Sequence, residues 1–75
     1  MGKKEREVTI RDEYIRLGQA LKLAGLAQTG IEAKIMVTEG GVLINGEVDT
    51  RRGRKLRDGD RVETKSGSFV IKSGI

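Results

Sequence analysis

The 75-residue chain contains no cysteine and no histidine. Disulfide bonds are therefore excluded, and the residues that most often ligate zinc, haem iron and iron–sulfur clusters are missing. No apolar run approaches the roughly 20 residues that a helix needs to cross a bilayer. The first ten residues also lack the apolar stretch of a signal peptide. We therefore expect a cytoplasmic protein with no metal, no cofactor and no membrane partner.

Aromatic residues are scarce, since the chain has one tyrosine and one phenylalanine. Proteins that bind single-stranded nucleic acid usually stack successive bases on several aromatic side chains. Phe69 is expected in the core, which leaves Tyr14 alone. A nucleic-acid partner would therefore be a structured RNA or a duplex that is recognised through its backbone and shape.

Positive charge is abundant and unevenly placed. The chain has 15 Lys/Arg against 11 Asp/Glu, a net charge of +4. Residues 41–75 hold eight basic and five acidic residues, a net of +3, and residues 1–40 hold the remaining +1. The densest segment is TRRGRKLR, residues 50–57. Such a patch favours a polyanionic partner, although a solubilising surface or a localisation-like basic string has the same composition.

Apolar spacing predicts two helices. In YIRLGQALKLAGL, the residues Tyr14, Leu17, Leu21 and Ala24 recur at helical intervals, and Gly25 is placed to end the helix in the left-handed conformation. This pattern predicts a first helix that begins near Tyr14.

The second helix is predicted in TGIEAKIMVTEGG, because Thr29 and Glu32 have the spacing of a capping box. Its inward face would carry Ala33, Met36 and Val37. Ile31 and Ile35 lie off that face. Either the sheet covers them, which we expect, or they form an exposed apolar patch for a partner.

After Gly41 the apolar period changes to two, which indicates strands. Asn45-Gly46 predicts a hairpin, Asp58-Gly59-Asp60 a turn, and residues 49–60 a long connection in which Leu56 reaches the core. Strands are predicted at residues 8–10, 42–44, 47–48, 61–65 and 69–72. The expected fold is a monomeric α+β domain over residues 1–75, with two packed helices against a small, mostly antiparallel twisted sheet and with residues 1–6 frayed.

Catalysis has little support in this sequence. It offers no His or Cys nucleophile and no serine in a nucleophile elbow. Asp58 and Asp60 flank a glycine without the full spacing of a calcium loop, and GRKLRDG lacks the spacing of a phosphate-binding loop. We expect no enzymatic activity.

Binding is better supported. Arg51, Arg52, Arg54 and Lys55 lie in a connection that strands fix at both ends, and guanidinium groups suit phosphate oxygens. Arg16, Lys22 and Lys34 lie on the predicted polar faces of the helices. The start of the second helix, at Thr29, is a ready anion site.

The ordered set of motifs resembles the S4-type RNA-binding domain, named after small-subunit ribosomal protein four. The resemblance covers residues 15–65 and rests on these pieces: Ala24-Gly25-Leu26, Thr29, Glu32-Ala33-Lys34, Glu39-Gly40-Gly41, Asn45-Gly46-Glu47 and Gly59-Asp60. The segments LGQALKLAGL and TRRGRKL are similar to the short, stand-alone YaaA-like branch. The resemblance implies an alpha-L motif that binds structured RNA, above all ribosomal RNA, in ribosome assembly.

The chain departs from the family pattern at three positions that are often basic: Gly30, Ile35 and Leu43. The basic loop, residues 50–57, is therefore expected to carry more of the binding than in most relatives. The predicted RNA-binding residues are Arg16, Lys22, Thr29, Lys34, Arg51, Arg52, Arg54 and Lys55. Two alternatives stay open, a duplex DNA binder and a protein-interaction adaptor that uses Ile31, Ile35 and the sheet edge.

Overall fold

A computed structural model of the protein describes residues 6–74. Its elements in chain order are β1 Arg6–Ile10, β2 Ile15–Arg16, α1 Leu17–Leu23, α2 Gly30–Thr38, β3 Leu43–Ile44, β4 Glu47–Val48, β5 Lys55–Leu56, β6 Arg61–Thr64 and β7 Gly67–Ser73. None of the helices within these residues is long and apolar enough to span a membrane.

The strands form one five-stranded sheet and one separate pair. The large sheet has the order β1-β7-β6-β3-β4, in which β1 and β7 are parallel and the other neighbours antiparallel. Strands β2 and β5 form a short antiparallel ladder of their own. The two helices pack against each other, so the predicted α+β class with a mostly antiparallel sheet is confirmed.

The core lies between the helices and the sheet. Its largest completely buried side chains come from both layers and include Phe69, Leu17, Leu21, Ile44 and Leu56. Phe69 and Leu56 therefore occupy the core positions that the sequence predicts. A domain of this size buries only about 60% of its unfolded surface, so each of these side chains is a large share of the core.

Helix α1 begins later than the apolar spacing predicts, at Leu17 instead of Tyr14. Ile15 and Arg16 are extended because they pair with Leu56 and Lys55 of β5. The prediction was wrong here because pairing with a segment 40 residues away overrides local helical spacing. The predicted end is confirmed, since Gly25 has a φ of 77°.

Helix α2 begins as predicted. The Thr29 hydroxyl accepts a hydrogen bond of 3.1 Å from the Glu32 amide, and Ala33 and Val37 are fully buried. The expectation that the sheet covers Ile31 and Ile35 is wrong, because their exposed fractions are 73% and 49%. Each lies two positions before a buried residue, Ala33 or Val37. Two positions correspond to a rotation of about 200° around a helix, so the isoleucines lie on the opposite side from the buried face.

The turns follow their sequence signals. Asn45 and Gly46 both have positive φ, 52° and 88°, as the type I′ turn of a two-residue hairpin requires. Residues 1–5, which were predicted to fray, lie outside the described residues. Arg6, included in that prediction, is instead the first residue of β1, and its guanidinium donates a hydrogen bond to the carbonyl of Ala24.

Candidate nucleic-acid interface

The basic loop, residues 50–57, is docked on the start of α1. The amide of Leu17 donates to the carbonyl of Arg54 (2.8 Å), and the amide of Gly18 donates to the carbonyl of Arg52 (3.0 Å). First-turn amides have no partner within their own helix, so the loop supplies what a capping side chain would otherwise supply. The loop backbone is thereby fixed in position before any ligand binds.

Gly18 makes this close approach possible. A Cβ atom added at Gly18 would lie 2.9 Å from Cγ of Arg52, well inside van der Waals contact. A side chain at this position would therefore displace the Arg52 stem from the helix.

A buried carboxylate organises the first half of the loop. Asp49 is only 7% exposed. Its oxygens accept from the amide (2.8 Å), Nε (3.1 Å) and Nη2 (2.8 Å) of Arg51, and from Nη1 of Arg54 (2.8 Å). The hydrogen bonds from Arg51, with a further contribution from Arg54, hold the pKa of Asp49 well below its usual range although burial opposes this. Asp49 therefore stays ionised and holds both arginines in place.

We expect Asp49→Asn to lower the free energy of unfolding by about 1–3 kcal/mol at neutral pH, because charge-assisted hydrogen bonds are lost. The pKa of Asp49 is lower in the folded state than in the unfolded state, where it is about 3.9. The ionised carboxylate therefore stabilises the fold fully above the unfolded-state pKa, and this stabilisation is lost as the pH falls through the folded-state pKa. Urea unfolding at several pH values should therefore show a constant difference from wild type above about pH 5 that shrinks below about pH 4.

The control for this variant is Glu47→Gln, which removes a carboxylate from an exposed position of the neighbouring strand β4. The free energy of unfolding of Glu47→Gln should stay within about 0.5 kcal/mol of wild type. An Asp49→Asn protein as stable as this control would contradict the organising role of Asp49.

Two of the four predicted loop cations, Arg51 and Arg54, form ion pairs with Asp49, and the other two do not. The side chain of Arg54 is only 29% exposed, whereas that of Arg51 is 72% exposed and presents an outer surface to solvent. Arg52 and Lys55 form no ion pair with a carboxylate of residues 6–74. The structure therefore gives Arg54 mainly a structural position and leaves Arg52 and Lys55 with uncompensated charge.

Three predicted cations share one groove. Arg16 from β2, Lys22 from the last turn of α1 and Arg52 from the loop line a depression of about 300 Å³. We call this depression the basic groove; it is completed by Gly18, Gln19, Gly30 and Gly53. Nη1 of Arg16 donates to the carbonyl of Gly53 (2.9 Å), which fixes that side chain against the loop.

The first residue of α2 also reaches the basic groove, since Gly30 is part of its lining. The partial positive charge of a helix start favours an anion there. Thr29 is the N-cap of this helix. Lys34 lies one turn further along α2, exposed, and does not line the groove.

A second group of cations surrounds Tyr14. Nζ of Lys55 lies 4.7 Å from the ring centroid, and Cζ of Arg16 and of Arg57 each lie 5.8 Å from it. We call these four residues the Tyr14 cluster. The predicted RNA-binding residues do not include Tyr14, which the apolar spacing places on the inward face of a helix, or Arg57. The signal that could have found them is the pairing of Ile15 with Leu56, which no local pattern reveals.

Among residues 6–74, no three side chains of metal-ligating types lie close enough together to hold an ion. Asp49, Asp58 and Asp60 instead accept hydrogen bonds within the fold. Asp60, for example, accepts from the side-chain amide of Asn45 and from the amide of Arg57.

Comparison with known proteins places these features in a family context. The family model described as S4 domain matches residues 8–72. The probable ribosome maturation protein RlbA of Bacillus subtilis is 51% identical over 65 residues, which cover 85% of this chain and 92% of RlbA. The putative RNA-binding protein YbcJ of Escherichia coli is 39% identical over 58 residues, which cover 77% of this chain and 83% of YbcJ.

The fold also matches a solved structure. The solution structure of YbcJ from E. coli superposes with a TM-score of 0.73 and 28% sequence identity, over 95% of this chain and 91% of YbcJ. That structure is described as revealing an αL motif involved in RNA binding. The sequence comparison and the backbone comparison therefore both identify YbcJ as a relative.

Proposed function

This chain belongs to the S4 domain family, as its sequence motifs predicted, and we propose that it binds structured RNA through the basic groove. The observation that carries the proposal is the convergence of Arg16, Lys22 and Arg52, from two distant parts of the chain, into one groove that no carboxylate of residues 6–74 lines. Like charges repel, so such convergence without a counter-charge favours an anionic ligand.

The chemistry of the groove suits phosphodiesters. Arginine binds phosphate through two parallel N–H groups, and lysine binds it as a point charge. Because the loop is already fixed on α1, little conformational entropy is lost when the ligand binds. Binding through the phosphates would be strongly dependent on salt and only weakly dependent on sequence.

The specific partner we propose is ribosomal RNA, with a role in ribosome assembly in the cytoplasm. The similarity to a protein named as a probable ribosome maturation protein supports this step. The similarity to a putative RNA-binding protein of comparable length supports binding without catalysis. We propose no metal, cofactor or enzymatic activity.

The test is a competition between nucleic acids. A labelled ribosomal RNA hairpin bound to the protein is displaced either by the same unlabelled RNA or by a DNA duplex of equal length and sequence. We expect the RNA to compete at a lower concentration, because the A-form backbone and its 2′-hydroxyl groups distinguish it from DNA. Equal competition by the DNA would favour the duplex DNA binder.

One observation favours the adaptor alternative, since Ile31 and Ile35 are exposed on α2. Sedimentation of tagged protein with ribosomal particles separates the two functions. An RNA binder keeps its association in Ile31→Ser/Ile35→Ser and loses it when the groove cations are removed. The reverse pattern would favour the adaptor.

A further inference from the structure

The Tyr14 cluster brings together residues from two distant parts of the chain. Tyr14 and Arg16 flank Ile15, the first residue of β2, in the sequence. Lys55 and Arg57 likewise flank Leu56, the last residue of β5. The ladder between these strands sets Arg16 directly opposite Lys55. The half-buried ring of Tyr14 lies where the three cations meet.

Two carboxylates lie near the cluster, because Asp12 and Glu13 line a depression together with Tyr14 and Arg16. Arg16, Lys55 and Arg57 form no ion pair with any carboxylate of residues 6–74. The negative face of an aromatic ring attracts cations, which offsets part of their mutual repulsion without removing their charge. The ring therefore concentrates positive charge at one exposed point of the surface.

We propose that Tyr14 is a positioning residue that gathers Arg16, Lys55 and Arg57 into a binding site for a phosphate of the RNA backbone. The inference rests on the proposed function and extends it, because Arg16 belongs to both the Tyr14 cluster and the basic groove. A bound RNA strand contacts both the basic groove and this second site.

The ligand is the phosphate and not a nucleobase. A base stacks on an open ring face, whereas Nζ of Lys55 already lies 4.7 Å above the centre of the Tyr14 ring. The cluster offers the N–H donors of two guanidiniums and one ammonium, which complement phosphate oxygens.

The decisive comparison is between Tyr14→Leu and Tyr14→Phe, neither of which changes the net charge. Loss of the ring disperses the cations, so Tyr14→Leu should weaken binding of a ribosomal RNA hairpin roughly 5-fold at about 0.15 M salt and reduce the salt slope by about 1, the effect of one phosphate contact. Tyr14→Phe keeps the ring and should bind within about 2-fold of wild type. Wild-type affinity in Tyr14→Leu, or equal losses in both variants, would overturn the proposal.

A second measurement does not depend on the stability of Tyr14→Leu or on RNA. The chain has one tyrosine and no tryptophan, so tyrosine fluorescence reports on the cluster alone. Titration with inorganic polyphosphate should change this fluorescence in wild type, and the change should be lost in Lys55→Gln/Arg57→Gln. No change in wild type would overturn the site.

The two measurements also separate this proposal from the proposed function. If the protein bound no RNA but its tyrosine responded to polyphosphate, the anion site would stand and the RNA function would fail. If removal of the groove cations weakened RNA binding while Tyr14→Leu had no effect, the function would stand and the Tyr14 site would fail.

Discussion

We expect Arg16→Gln/Lys22→Gln/Arg52→Gln to bind structured RNA on the order of 100-fold more weakly than wild type at about 0.15 M salt. Each cation that neutralises a phosphate releases condensed counterions, and at this salt concentration one such contact contributes roughly 5-fold. Three contacts acting together in the groove multiply to the expected loss. The affinity is measured by fluorescence anisotropy with a labelled ribosomal RNA hairpin.

The salt dependence of the same variant gives an independent prediction. The slope of log affinity against log salt should become less negative by about 2–3, because up to three phosphates are no longer neutralised. A loss of affinity with an unchanged slope would mean that the variant affects shape or folding and not phosphate contacts.

The matched control removes three cations elsewhere. Arg11→Gln/Lys65→Gln/Lys72→Gln has the same net charge, +1 instead of +4, and changes three exposed residues that do not line the basic groove. We expect its affinity to fall by less than about 10-fold, through long-range attraction alone. An equal fall in both variants would mean that RNA responds only to the overall charge, which would contradict a defined site.

Both variants should remain folded. Glutamine keeps the aliphatic stem of Arg52 as far as Cγ, the atom that lies over Gly18. The hydrogen bond from Arg16 to the carbonyl of Gly53 is lost, but it is exposed and so contributes about 1 kcal/mol or less. Thermal unfolding followed by circular dichroism checks this point.

The elements that could be predicted from the sequence are those specified by neighbouring residues. The Thr29 cap requires only the amide three positions later, and the Asn45-Gly46 hairpin requires only two residues that tolerate positive φ. Alternation of apolar residues then assigns the strands that flank the hairpin. Local signals of this kind do not depend on the rest of the fold.

The start of α1 could not be predicted in the same way. Its position depends on carbonyl groups of Arg52 and Arg54, more than 30 residues away. The two-residue ladder between β2 and β5 has too few residues to show a period. Sequence reasoning placed Leu56 in the core without revealing that its strand pairs next to Tyr14.

The charges in the sequence could not predict which arginines of the candidate site form ion pairs and which line the groove. Arg51, Arg52 and Arg54 are equivalent in the sequence, yet two of them share Asp49 and the third lines the groove. Asp49 received no role in the sequence analysis, since nothing local marks a single aspartate near a basic run as buried. Partner choice among like charges is decided by three-dimensional distance.

The largest effect on stability is expected at the residue that fixes the loop to the core. Leu56→Ala should lower the free energy of unfolding by about 2–5 kcal/mol, because a fully buried leucine is replaced and a cavity remains. A domain of this length has a total stability of about 4–11 kcal/mol. The variant should therefore lose a large fraction of its stability, measured by urea unfolding.

Leu23→Ala is the matched control, since it makes the same chemical change at a leucine that is 66% exposed on α1. Its free energy of unfolding should lie within about 0.5 kcal/mol of wild type.

Leu56 also lies directly between Lys55 and Arg57, so its loss should release the second half of the loop even in molecules that remain folded. In Leu56→Ala, the amides of Leu17 and Gly18 should then exchange with solvent hydrogen faster than those of α2. If the amides of Leu17 and Gly18 exchanged as slowly as those of α2, α1 would hold the loop without help from Leu56.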